Sequence, residues 1–181
     1  MKHIDLSQNK ELVARIMAVQ ACYEMEHNKK PVVALIEEFL KRGLELHQED
    51  EDDVTQDTPL KPHGVLFKKI VQGCHRRKVD VESILQMHIV QKESEPVEPE
   101  LISKEEGDEA LGVITAPKEK EMEPLLKSVL TCGIYELIAH DDIDAPLIVN
   151  DYLNATHSFY EKSQVSFVNG ILDAVSKAVR G

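Results

Sequence analysis

The chain has 181 residues, of which 42% are hydrophobic but only 4% aromatic and none is Trp, and its net charge is −12. This length suits one domain with a core of Leu, Ile and Val, and the acidic balance argues against a generic nucleic-acid binder, because phosphate binding needs clustered Lys and Arg. The N-terminus lacks the apolar region of a signal peptide, and no apolar run approaches the roughly 20 residues of a membrane span, which predicts a cytoplasmic protein without a membrane partner.

The N-terminal part of the sequence predicts two helices. Leu12 and Ile16 belong to a series of apolar residues at three- and four-residue steps, which is typical of an amphipathic helix. A second helix begins near Pro31, which suits a first helical turn, and ends at Gly43. Residues 45–57 hold seven acidic side chains and no Lys or Arg, which predicts a solvated loop.

The charge reverses in residues 61–78, which contain six basic side chains and no acidic one. Phe67, Ile70 and Cys74 belong to one apolar face of a predicted helix, so the basic residues lie on its other face and at its end. The basic residues are Lys61, Lys68, Lys69, Arg76, Arg77 and Lys78. This cluster is either an ordinary solvated helix face or a phosphate-binding surface.

Residues 91–123 interrupt the helical pattern. They contain three Pro and eleven acidic residues against four Lys, with no clear period. This composition predicts an exposed, poorly ordered insertion within a single domain that spans residues 1–181. The insertion is either a tolerated surface loop or an acidic RNA mimic that discourages non-specific binding.

The last third of the sequence has the most regular helical periodicity. Pro124 and Pro146 each stand at a first-turn position, and an apolar stripe that includes Val168 and Leu172 predicts a final helix. No stretch shows the sustained alternation of a strand. The whole chain is therefore predicted to be all-α, a compact bundle of about seven helices joined by short connections.

The sequence offers little catalytic chemistry. Eight His are scattered without H-x-x-x-H spacing, and no nucleotide-binding loop or nucleophile motif is present. His140, followed by two Asp, marks a helix end more readily than a metal site. Cys22, Cys74 and Cys132 fall among apolar residues, which predicts buried, reduced thiols. We therefore predict a binding protein with no catalytic residues, metal site, cofactor or small-molecule substrate.

Three segments resemble the NusB family of transcription antitermination factors. They are ARIMAVQACYEME near the start, EPLLKSVLTCGIYELI in the centre, and SFVNGILD near the end. The resemblance covers roughly residues 10–42, 64–90 and 123–179, and it implies an all-helical fold of two sub-bundles. It also implies binding of boxA RNA together with the ribosomal protein NusE. The pair would load onto the RNA polymerase elongation complex with other Nus factors and favour readthrough, notably of ribosomal RNA operons.

The resemblance assigns two aromatic residues to RNA recognition. Phe167 matches an RNA-facing aromatic of the family, and Tyr23 matches another near the first helix; such rings can stack on unpaired bases. Phe167 could equally be peripheral core, and Tyr23 could simply form a hydrogen bond at a helix end. Asn169 could contact either RNA or a neighbouring helix, and Gly170 could permit close helix packing.

The chain departs from the family in its N-terminal arm, which is Arg-rich in the family. Only Lys2, Lys10 and Arg15 remain there, and Lys10 and Arg15 are the candidate phosphate contacts. The cluster of Lys68, Lys69, Arg76 and Arg77 could bind phosphates in place of the arm. A partner surface is implied around Tyr135, Glu136 and the segment from Asp142 to Asn150. If RNA binding is weak, the alternative is a protein-only adaptor in the antitermination or ribosome-assembly complex.

Overall fold

Seven helices account for most of the chain that the computed structural model describes, which is residue 6 and residues 9–44, 59–93 and 122–181. They are α1 (Lys10–Asn28), α2 (Val32–Arg42), α3 (Gly64–Arg76), α4 (Lys78–Glu93), α5 (Pro124–Ala139), α6 (Ala145–His157) and α7 (Lys162–Arg180). These ranges contain no strand beyond one isolated bridge between Leu44 and Leu60. The predicted all-α bundle is confirmed. None of the described helices is both long and apolar enough to cross a bilayer.

Local sequence signals set the ends of several helices. The Asn9 side chain accepts a hydrogen bond from the Leu12 amide at 2.9 Å, which satisfies one free N–H at the start of α1. The Glu123 carboxylate caps α5 in the same way, immediately before Pro124 at the first helical position. At the other end of a helix, Gly43 closes α2 with a φ of 81°, a conformation that favours glycine.

The centre of the bundle is formed by α1 and α5. Every residue from Leu12 to Val19 is buried, so this stretch of α1 is enclosed on all sides. The sequence prediction of an amphipathic α1 is wrong for this stretch, because α2, α3, α5 and α6 all pack around the helix. Between them, the helices enclose one continuous apolar core.

Specific contacts fix the directions of the central helices. The His63 amide donates to the Lys10 carbonyl at 2.8 Å, and the sulfurs of Cys22 and Cys74 lie within 4.8 Å, so α1 and α3 run parallel. Arg15 of α1 contacts Glu136 of α5, whereas Cys22 contacts Cys132. Residue numbers therefore rise along α1 as they fall along α5, and these two helices are antiparallel.

Two glycines allow side chains to lie directly on a helix backbone. A Cβ at Gly73 would be 1.8 Å from the ring of Tyr135, and one at Gly133 would be 2.9 Å from Leu172. Gly73 therefore brings α3 against α5, and Gly133 brings α5 against α7. Because both contacts are too close for any side chain, these positions require glycine unless a neighbour moves.

Two predicted loops lie largely outside the described residues. Residues 45–57 are wholly outside them, and the predicted insertion overlaps them only at its ends. At its N-terminal boundary, α4 continues through Glu93, so residues 91–93 are helical rather than part of an irregular segment. The predicted start of the insertion is therefore too early by three residues.

A side chain from the last turn of α7 caps the C-terminal end of α5. The Arg180 guanidinium donates hydrogen bonds to the carbonyls of Leu137 at 2.7 Å, Glu136 at 3.1 Å and His140 at 2.7 Å. It also donates to the Ile143 carbonyl in the connection to α6. A single cation thus satisfies free carbonyls at a helix C-terminus, where positive charge is favourable.

Candidate nucleic-acid and protein interface

A buried ionic network joins α1, α5 and α6. The Arg15 guanidinium donates to both carboxylate oxygens of Glu136, at 2.8 and 3.0 Å, and to Asp151 at 2.8 Å. Glu136 also accepts from the Tyr152 hydroxyl at 2.8 Å and pairs with His140 Nδ1 at 3.0 Å. Among the described residues, no buried side-chain polar atom is without a hydrogen-bond partner, so the network is fully satisfied.

The surroundings of this network shift the pKa values of four of its members. Burial disfavours the charge of Arg15, but the carboxylates of Glu136 and Asp151 outweigh burial and raise its pKa. For Glu136, the opposing effect of burial is overcome by the hydrogen bond from His140 and the charge of Arg15, which lower its pKa. Burial dominates at Asp151 and raises its pKa, and burial also raises that of Tyr152 well above the ordinary value.

Three predicted interface residues therefore belong to the interior. Arg15 is 2% exposed and ion-paired, so the prediction that it contacts RNA is wrong. Glu136 is fully buried, and Tyr135 packs its ring on Gly73, so neither forms the predicted partner surface. Their positions follow from side-chain packing, because a guanidinium at the centre of the bundle requires buried carboxylates, and Glu136 is one of the two that pair with it.

The predicted phosphate contacts on α3 are exposed. Lys68, Lys69 and Arg76 form no ion pair with any residue that the structure describes. Lys69 and Arg76 are seven residues apart, so they lie on one side of α3, about 10 Å from each other along its axis. Arg77, by contrast, donates to Asp80 at 3.1 Å. We call Lys68, Lys69 and Arg76 the basic α3 surface.

Lys10 is exposed at the first position of α1, where the His63 amide donates to its carbonyl. Because His63 immediately precedes α3, this bond places Lys10 beside the first turn of that helix. Lys68 and Lys69 follow one turn later. Lys10 is thus the exposed one of the two predicted phosphate contacts in the N-terminal arm. It lies at the same end of the bundle as the start of the basic α3 surface.

Tyr23 lies near the other end of α1 and is partly buried. Its ring contacts the imidazole of His27, with the centroids 4.3 Å apart, and the His27 Nδ1 lies 2.8 Å from the Tyr23 carbonyl. The phenol is therefore neither sealed in the core nor fully presented to solvent. One face of its ring is already covered by His27.

Phe167 lies in the second turn of α7, partly buried against the core. Its neighbour Ser166 and the predicted RNA ligand Asn169 are both exposed. In the described parts of the chain, α7 packs on α4, α5 and α6 but contacts neither α1 nor α3. Phe167 is therefore not adjacent to Tyr23 or to the basic α3 surface, and the three features do not form one cluster.

The part of the predicted protein surface that is accessible lies in the α5–α6 connection and at the start of α6. Asp142 and Asn150 are exposed, as are the neighbouring carboxylates of Asp141 and Asp144. Leu147 adds an apolar side chain that is 54% exposed. This combination of negative charge and apolar area suits a basic protein partner.

All three cysteines converge at one place in the core, which the sequence does not predict. Cys22, Cys74 and Cys132 come from α1, α3 and α5, and they are buried and unpaired by disulfides. The Cys132 sulfur lies 3.5 Å from that of Cys22 and 4.0 Å from that of Cys74. Their burial confirms the prediction for each residue separately. Their proximity depends on how three helices pack, and no local sequence pattern encodes it.

Comparison with known sequences connects this fold to one family. Residues 101–177 match the model of the NusB family. The transcription antitermination protein NusB of Novosphingobium aromaticivorans is 25% identical over 175 residues, covering 97% of this chain and 98% of the relative. NusB of Nitrobacter winogradskyi is 27% identical over 177 residues, covering 98% of this chain and 91% of the relative.

Solved structures share the fold. A crystal structure of the antitermination factors NusB and NusE in complex with double-stranded RNA superposes with a TM-score of 0.61 at 16% identity, covering 97% of this chain and 99% of the other. A structure of T. maritima NusB gives a TM-score of 0.59 at 15% identity, with coverage of 92% and 89%. At these identities the likeness establishes the fold alone.

Proposed function

We propose that this chain, which belongs to the NusB family, is a non-enzymatic, RNA-binding transcription antitermination factor. It would bind boxA-type single-stranded RNA together with NusE and then act in the cytoplasm on the RNA polymerase elongation complex with other Nus factors. Readthrough of ribosomal RNA operons would be the outcome. The observation that supports this proposal most is the alignment with NusB proteins along nearly the whole of both chains.

The proposed RNA contacts divide between two surfaces. The basic α3 surface and Lys10 would contact phosphates, which contribute affinity without reading sequence. Phe167 and Asn169 would supply base stacking and hydrogen bonding on α7. Because α3 and α7 do not touch in the described structure, these contributions can be tested separately.

The protein surface would be the α5–α6 connection together with the start of α6. A ribosomal protein that binds RNA is expected to be basic, and the exposed carboxylates at Asp141, Asp142 and Asp144 would attract it. Asn150 and the exposed Leu147 would add a hydrogen-bonding and an apolar contact. Arg15, Tyr135 and Glu136 have no part in this interface, since they are buried.

A protein-only adaptor is the second candidate function. The net charge of −12 and the pairing of Arg77 with Asp80 both reduce the basic area available to RNA. Neither fact reduces the acidic surface beside α6, to which NusE would bind. An adaptor would therefore bind NusE well but RNA only within the joint complex.

The deciding experiment is a fluorescence anisotropy titration of labelled boxA RNA with this chain, with and without NusE. A scrambled RNA of equal length measures non-specific binding. We expect the native chain alone to prefer boxA and NusE to strengthen binding. Preference for boxA only when NusE is present would support the adaptor instead, and no preference in either case would contradict both functions.

The contribution of Phe167 is tested by Phe167→Leu, which keeps an apolar side chain against the core but removes the aromatic face. We expect boxA affinity to fall by about 1–3 kcal/mol, the contribution of one stacked base. Val179→Ala, on an exposed position of the same helix, serves as the control. Equal affinities for the two variants, with thermal unfolding unchanged, would assign Phe167 to the core alone.

A further inference from the structure

We propose that the three cysteines form a binding site for one Cu(I) ion, which Cys22, Cys74 and Cys132 would coordinate in a three-coordinate, all-sulfur arrangement. This inference is independent of RNA binding. It is based on the convergence of three buried thiols from three helices, and on the chemistry of the cavity that adjoins them.

The spacing of the sulfurs fits a common central ion. All three lie within 4.8 Å of one another, with measured separations of 3.5 Å for Cys22–Cys132 and 4.0 Å for Cys74–Cys132. A trigonal site with metal–sulfur bonds of about 2.3 Å would separate its sulfurs by about 4.0 Å. The thiols therefore need to move by only a fraction of an ångström to hold an ion between them.

The number and type of donors favour Cu(I) over other ions that bind thiolates. Structural zinc is almost always four-coordinate, and iron–sulfur clusters use four protein ligands. The cluster of potential ligands in the described structure contains three residues, all of them cysteines. Soft sulfur ligands suit Cu(I), zinc and iron–sulfur clusters, and of these Cu(I) is the one that three sulfurs can satisfy.

A cavity of about 300 Å³ provides an entry route to this site. Cys22 and Cys74 line its inner part, whereas His27 and Glu26 are exposed at its outer part, so the cavity reaches solvent. Met25 and Met122 also line it. Their thioethers are soft, weak ligands that could transfer Cu(I) inward without holding it tightly.

The three thiols already contact one another in the core. The Cys74 thiol donates to Cys132, and Cys132 donates to Cys22, which is the acceptor at the end of this series.

Binding would exchange protons for metal without electron transfer. In the full reaction, three Cys–SH groups and Cu⁺ give a Cu(S–Cys)₃ centre of charge −2, and three protons leave to solvent. The copper stays Cu(I), and no sulfur is oxidised. Proton release on metal addition is thus a direct readout of how many thiols become thiolates.

The test is an anaerobic titration of the reduced, full-length chain with Cu(I) supplied as its bicinchoninate complex. We expect the protein to take one equivalent from the chelator, with sulfur as the only neighbour in X-ray absorption. Cys74→Ala and Cys132→Ala should each lower the affinity by more than about 100-fold, beyond the usual effect of an outer-shell change. The control Met25→Leu/Met122→Leu should retain one equivalent and the sulfur-only coordination.

A second measurement covers the case in which a cysteine variant does not fold. In the native chain, bound Cu(I) should protect all three thiols from a thiol reagent, and circular dichroism should show the helices intact. Failure of the native chain to compete with bicinchoninate would overturn the site. Tight binding of Zn²⁺ without Cu(I) binding would overturn the assignment of the metal, as would unchanged Cu(I) affinity in folded cysteine variants.

Discussion

The Arg15 network and the basic α3 surface are both built from charged side chains, but they differ in burial and in pairing. Arg15 is 2% exposed and is held by Glu136 and Asp151, whereas Lys68 and Lys69 are exposed and unpaired among the described residues. A buried, paired cation fixes the relative positions of helices, and an exposed one remains available to a ligand. Similar residue types therefore contribute to folding at one place and, in the proposed function, to binding at the other.

The largest expected effect comes from removing the cation of the buried network. Arg15→Leu leaves two carboxylates buried without their counter-charge, so we expect a loss of about 3–5 kcal/mol in the free energy of unfolding. Lys10→Leu, at an exposed position of the same helix, should change it by less than about 0.5 kcal/mol. Urea denaturation measures both. A loss in Arg15→Leu no greater than that in Lys10→Leu would mean that the network does not stabilise the fold.

Acidification should change the stability that the same network provides. Its two carboxylates should contribute to the free energy of unfolding with opposite dependence on pH. The lowered pKa of Glu136 gives stability that is complete above about pH 4.5 and is lost as the pH falls through the folded-state pKa. The raised pKa of Asp151 works the other way, since its protonation on folding makes its contribution more favourable as the pH falls from the folded-state pKa towards about 3.8.

Asp151→Asn separates these contributions. Without the opposing carboxylate, stability should fall more steeply with acidification than in the native chain, and each unit of pKa difference corresponds to about 1.4 kcal/mol. The matched control is Asp142→Asn, which changes an exposed carboxylate outside the network. Urea denaturation across the acid range measures the slopes. Parallel profiles for Asp151→Asn and the native chain would contradict the opposing role of Asp151.

The smallest effect on stability is expected at the basic α3 surface. Lys68→Glu/Lys69→Glu should alter the free energy of unfolding by less than about 0.5 kcal/mol, because both side chains are solvated. Affinity for boxA RNA should fall, and its salt slope should decrease by about one for each phosphate that the variant no longer binds. The same reversals at Lys29 and Lys41, which are exposed at the C-terminal ends of α1 and α2, form the matched control. Identical affinity and slope in both variants would remove α3 from the RNA interface.

The fold is predictable from the sequence because its signals are local. The apolar spacing of each helix, the proline at position 124 and the glycine at position 43 act within a few residues, and the structure confirms the helices they predict. Burial at the centre is harder to predict. An amphipathic pattern does not show how many neighbours a helix will have, so it does not reveal that every residue from Leu12 to Val19 is buried.

The candidate site is less predictable because its residues depend on contacts between distant parts of the chain. The sequence suggests that Arg15 belongs to a basic arm, although Leu12 and Val19 place it beside an apolar stripe at helical spacing. That position is the available signal for a buried ion pair. The cysteine convergence has no comparable signal, since it requires the relative placement of α1, α3 and α5.

The hydrogen bonds of Arg180 have a consequence for folding during translation. The carbonyls that this side chain caps belong to residues about forty positions earlier, at the end of the central helix. While the ribosome is still adding the intervening residues, α5 lacks its terminal cation. The last carbonyls of the helix can then accept these hydrogen bonds only from water. The native bundle can therefore be completed only after α7 has been synthesised.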